Sequence, residues 1–104
     1  MFSPKMIELR RVVLDVLKPH DPDITIMVKS LAEIPGINGV NISVYEIDQR
    51  VENVKVTLEG NFPDIKKVKK VLLDIGGTIH SIDEVVAGKT MVEEEETLQE
   101  RNQG

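Results

Sequence analysis

Asn53-Val54-Lys55-Val56-Thr57-Leu58-Glu59 is the stretch that decides the fold. Apolar side chains at 54, 56 and 58 alternate with polar ones at 53, 55, 57 and 59, the period of two of a strand with one buried face. The segment before it, Val40 to Asp48, repeats the pattern, with Val40, Ile42 and Val44 on one face and Asn41, Ser43, Tyr45 and Ile47 on the other. A turn near Gln49 to Val51 joins the two as a hairpin.

Outward from this hairpin the chain reads as two similar halves. Upstream, Ile7 to Leu17 is a strand with Val12, Leu14 and Val16 on one face and Arg11, Val13, Asp15 and Leu17 on the other, ended by Lys18-Pro19-His20. Asp21-Pro22 reads as a helix cap followed by proline at the first helical position. Ile24, Met27, Val28, Leu31 and Ile34 then line one helical face before Pro35-Gly36 stops it. Downstream, Gly60-Asn61-Phe62-Pro63 is expected to open a second helix, with a buried stripe of Ile65, Val68, Leu72 and Ile75 flanked by Val71 and Leu73. Its opposite side carries Lys66, Lys67, Lys69 and Lys70, read as a solvated face, and Gly76-Gly77 is its left-handed stop. Thr78 to Gly88 is a last strand. Ile82 and Val86 suit one register while Ile79, Val85 and Ala87 suit the other, which calls for a bulge or for cover on both faces.

The order β-α-β-β-α-β predicts an α+β fold, the ferredoxin-like plait: a four-stranded antiparallel sheet with two helices on one face. The first and third strands are expected to be central and parallel neighbours, with the second and fourth at the edges. Residues 5–89 are assigned to this single domain, and 90–104 to an acidic, disordered tail. Two helices cover one face of the sheet only. The other face is expected to display Val13, Leu17, Tyr45 and Ile47 beside Arg11, Asp15, Lys55 and Thr57, a mixture suited to self-association.

Composition narrows the function. The 104 residues are 40% apolar and 30% charged, with no cysteine, which removes disulfides, thiolate metal sites and thiol nucleophiles. The formal net charge is -5, and the last fifteen residues hold five Glu against one Arg, so the body is nearly neutral. Without a basic surplus, and with only 3% aromatic residues, nucleic acid is not an expected partner. No apolar run approaches the roughly 20 residues that span a bilayer. The charged N-terminal stretch lacks the form of a secretory signal, so the chain is read as cytoplasmic with no membrane partner.

Two groups of side chains are candidates for chemistry. In the hairpin, Asp48 is expected across from Glu52, with Glu46 two residues back. Like charges so placed need an offset from Arg50, from a neighbouring subunit's basic side chain, or from a hard cation such as Ca²⁺ or Mg²⁺. The second group is His20 and His80, joined by Asp15 and Asp83 at the other end of the sheet, a set for a transition metal or a titratable switch. No His-x-x-x-His spacing supports it, and capping histidines are the plainer reading. No phosphate loop, nucleophile elbow or triad ordering is present, and no catalytic residue is assigned.

Leu14-Asp15-Val16-Leu17-Lys18-Pro19-His20, Gly39-Val40-Asn41-Ile42-Ser43-Val44, Glu46-Ile47-Asp48-Gln49 and Ile79-His80-Ser81-Ile82-Asp83-Glu84-Val85-Val86-Ala87-Gly88 closely resemble an archaeal family catalogued as domain of unknown function 211. The likeness covers about residues 5 to 92. It implies the ferredoxin-like fold, an archaeal cytosolic source and ring-like or other homo-oligomeric assembly, and it assigns no activity. A looser similarity is to amino-acid-binding ACT domains, although Asp23 follows Pro22 where those domains have Pro-Gly at the helix start.

Two functional classes follow. The leading expectation is a non-enzymatic, homo-oligomeric binding or regulatory module that takes a divalent cation or small ligand at subunit contacts. The alternative is a metal-dependent enzyme using His20, His80 and nearby carboxylates.

Overall fold

The computed structural model describes residues 6–95. Six elements appear in the expected order: β1 (Leu9–Pro19), α1 (Ile24–Ala32), β2 (Ile37–Ile47), β3 (Val51–Phe62), α2 (Lys66–Ile75) and β4 (Thr78–Ala87). The strands form one sheet in the order β2-β3-β1-β4, so β1 and β3 are central. They are antiparallel rather than parallel neighbours, with Leu14 opposite Val56 and Val16 opposite Val54. The reason is topological. The crossover through α1 makes β1 and β2 run the same way without being adjacent, and the hairpin then sends β3 back between them.

The core lies between the sheet and the helices. Val12, Leu14 and Val16 of β1 and Val54, Val56 and Leu58 of β3 are fully buried against Met27 and Leu31 of α1 and Val68 and Leu72 of α2. The smallest extent of the molecule, 19 Å, is the depth of one sheet layer and one helix layer at about 10 Å each.

Several boundaries differ from the sequence reading. Asp23, not Asp21, caps α1: its carboxylate accepts from the backbone N–H of Thr25 (3.0 Å) and Ile26 (3.1 Å). Asp21 and Pro22 belong to the connection before the helix, joined by a cis peptide. Asp23→Ala should therefore cost about 1 kcal/mol in urea unfolding, and Asp21→Ala should stay within about 0.5 kcal/mol. Gly60-Asn61-Phe62 does not open α2 but extends β3, held by Leu9 opposite Phe62 and Ile37 opposite Gly60. Leu73 is 74% exposed, outside the buried stripe. Gly76 ends α2 at φ 88, as its sequence implied.

In β4, register shifts against β1 fall between Val13 and Leu14 and between Asp15 and Val16. These bulges account for the broken alternation. Ile82 faces Leu14 and Val85 faces Val12, both on the helix side, yet each is more than half exposed because β4 is an edge strand. A further shift, between Val44 and Glu46 of β2, sets Glu46 opposite Asn53 and Ile47 opposite Glu52. Cross-strand partners share a face, so Ile47 sits on the helix side and not on the open face. Val13 also departs from expectation: it keeps the open face but is only 7% exposed.

Candidate functional site

Register places two polar clusters on opposite faces of the sheet. The helix-side cluster begins with Lys18, which continues the inward parity of Val12, Leu14 and Val16 and is fully buried. Its Nζ donates to the carbonyls of Pro19 (2.6 Å) and His20 (3.3 Å) and to Oε1 of Glu52 (3.2 Å). The second oxygen of Glu52 meets Nδ1 of His20 at 2.9 Å. The bridging carboxylate raises the His20 pKa above its ordinary value, and the His20 hydrogen bond, with help from Lys18, lowers that of Glu52. Every buried side-chain polar atom among the described residues has a partner.

This arrangement removes the carboxylate clash expected in the hairpin. Ile47, not Asp48, stands opposite Glu52. Asp48 stays in its own turn, where its carboxylate accepts from the N–H groups of Arg50 and Val51, both at 2.8 Å, and its pKa falls accordingly. Glu46 lies on the other face of the sheet. The three hairpin carboxylates therefore do not converge, and the offset for Glu52 is Lys18 with His20.

The open-face cluster forms where β1, β2, β3 and β4 present Asp15, Leu17, Tyr45, Glu46, Asn53 and His80 around a depression of about 330 Å³. Because the β2 bulge falls at Tyr45, Tyr45 and Glu46 share this face. The Tyr45 hydroxyl donates to Oδ1 of Asp15, and this acceptor, with the charges of Glu46 and Asp83, pushes the phenol pKa up to about 12. Ser81 donates to Asp83 at 2.6 Å. His80 is thus on the open face with Asp15, whereas His20 belongs to the Glu52 cluster. Among the described residues no group of three or more His, Asp or Glu side chains has the geometry to hold a metal ion.

Sequence reasoning missed Lys18 and the Tyr45–Asp15 pair. Lys18 carried a signal, being two residues beyond Val16 on the buried parity. At the far end of the open face, Arg11 holds Glu59 (2.8 Å), Glu93 (2.9 Å) and Glu84 (3.5 Å), so part of the acidic C-terminal segment is tied to the sheet. The rest of the expected tail, residues 96–104, lies outside the described residues. No helix among the described residues is long and apolar enough to cross a membrane.

Comparison with known proteins gives two matches. Residues 10–101 fit the model of a protein family described as DUF211, Uncharacterized ArCR. The chain is also similar to an uncharacterised protein of Methanocaldococcus jannaschii, 56% identical over 94 residues that make up 90% of this chain and 97% of the relative.

Proposed function

The chain belongs to the DUF211 family, and from its open sheet face we propose that it is a non-enzymatic, homo-oligomeric module that binds a small ligand at or beside its subunit contacts. The observation that carries this reading is the face opposite the helices. It mixes Tyr45, Leu17 and the small polar Ser43 and Thr57 with the charges of Asp15, Glu46 and Lys55. Sheet faces of this kind are stable when a second layer is laid on them, and a second copy is the cheapest source of that layer. The divalent-cation part of the expectation gains no support from the geometry, since Glu46, Asp48 and Glu52 each serve a different neighbourhood. No observation favours the metalloenzyme alternative, because His20 and His80 sit in separate clusters.

Light scattering of the purified protein at micromolar concentration tests assembly, and a multimer is expected. Thr57→Arg, which places a charge in the middle of the open face without entering the core, should shift the dissociation midpoint upward by about tenfold or more. A wild-type protein that is strictly monomeric under these conditions rejects the reading.

A further inference from the structure

We propose that the open-face depression binds an organic cation, an ammonium or guanidinium group on a short aliphatic stem. The proposal rests on the open face being the ligand-binding surface, and it names the ligand's chemistry. The lining offers acceptors almost throughout: the carboxylates of Asp15 and Glu46, the amide oxygen of Asn53, the Tyr45 oxygen and a ring nitrogen of His80. No lysine or arginine lines it. Lys55, opposite Asp15 in the β1–β3 register, is the nearest basic residue in that row, and it is exposed and outside the lining.

The carboxylates of the lining, Asp15 and Glu46, are both negative, and Asp83 adds its charge at the Tyr45 phenol, so an arriving anion is repelled and an arriving cation drawn in, with Lys55 beyond the lining as the basic group that weakens the attraction. Leu17 supplies an apolar wall for a methylene stem, and the half-exposed Tyr45 ring offers a face to a positive head.

Size and geometry choose between an organic cation and a metal ion. A calcium ion needs six to eight oxygens converging at about 2.3–2.6 Å, and the described residues include no such convergence. One Asp15 oxygen is already committed to the Tyr45 hydroxyl. A volume of about 330 Å³ is at the small end of organic-ligand sites, and an ammonium with three donors can use acceptors spread around a depression.

The test is an NMR titration of the full chain at constant ionic strength, read at Tyr45, the single tyrosine, and at His80. Probes are 1,4-diaminobutane and methylguanidinium, with sodium butyrate and calcium chloride as comparisons. The expected result is saturable shifts with both organic cations, weakened about five- to tenfold by Glu46→Gln, which removes one charged acceptor whose carboxylate takes no hydrogen bond among the described residues. Lys55→Ala should tighten binding by about twofold or more. Shifts that do not saturate, that are unchanged by Glu46→Gln, or that are matched by butyrate overturn the proposal, as does calcium saturating the same resonances more tightly than either organic cation. Light scattering on the same samples keeps the two readings apart: a monomer that binds the diamine rejects assembly alone, and a multimer that ignores it rejects this site alone.

Discussion

Gly60→Ala is expected to destabilise the protein by about 3 kcal/mol, seen as a lower urea midpoint with an unchanged slope. A methyl group at this position would fall on the carbonyl oxygen of Gly36 and lie 2.8 Å from the backbone nitrogen of Asn38. Both obstacles are main-chain atoms, so no rotamer change relieves them. Nor can the strands separate freely, because the Asn61 N–H donates to that same Gly36 carbonyl at 2.8 Å. Gly36 is constrained in return: it sits at φ 90, and a methyl there would fall on the Asn61 carbonyl oxygen. Gly39, in the same strand region, has open space where a side chain would go, so Gly39→Ala should change stability by less than about 1 kcal/mol. A Gly60→Ala protein as stable as the wild type would show that β2 and β3 do not cross this closely.

That close crossing explains why one boundary escaped the sequence. Gly60-Asn61-Phe62-Pro63 has the composition of a loop leading into a helix, and only pairing with Leu9 and Ile37 makes it strand. Such pairing joins residues far apart in the chain, and local propensity carries no trace of it. What was legible was what depends on period alone: the alternation of β1 and β3, the buried stripes of both helices, the Gly76 stop, and from their order the plait itself. Bulges were the blind spot. One extra residue at Tyr45 exchanges the faces of everything after it, moving Ile47 to the helix side and bringing Glu46 beside Tyr45. A shift of one position in the hairpin likewise replaces the expected Asp48–Glu52 opposition with Ile47–Glu52 and turns Glu52 toward Lys18. The hairpin carboxylates and the two histidines, expected at opposite ends of the sheet, lie at one end and are divided between its two faces, because grouping depends on register. Lys18 is the exception that period could have found, because its parity was already that of the core.

Glu52→Ala is expected to have an effect as large as any core truncation, about 3 kcal/mol or more, because it leaves the fully buried Lys18 ammonium without its counter-charge. The Pro19 and His20 carbonyls still accept from Nζ, but two neutral dipoles do not replace a carboxylate beside an ammonium that has no exposed surface of its own. Lys18→Met tests the cause. It keeps the length of the side chain, removes the charge, and leaves the Glu52–His20 contact in place, so it should cost less than Glu52→Ala, by about 1.5 kcal/mol or more. Equal losses would mean that packing at this position matters and the ion pair does not. Acidity separates the partners further. His20 has its pKa raised from 6.5 by Glu52, so its share of the stability is complete below that value and fades as pH rises through the higher folded-state value. Glu52 has its pKa lowered from 4.5, so its share is complete above that value and fades as pH falls through the lower one. The contribution of this cluster to the urea midpoint of the wild type should therefore be largest between about pH 4.5 and 6.5 and decline as pH rises above that window. His20→Gln should remove the alkaline decline while keeping Lys18 paired, and Glu52→Ala should flatten both limbs. An alkaline decline that survives His20→Gln would place the titrating group elsewhere in the molecule.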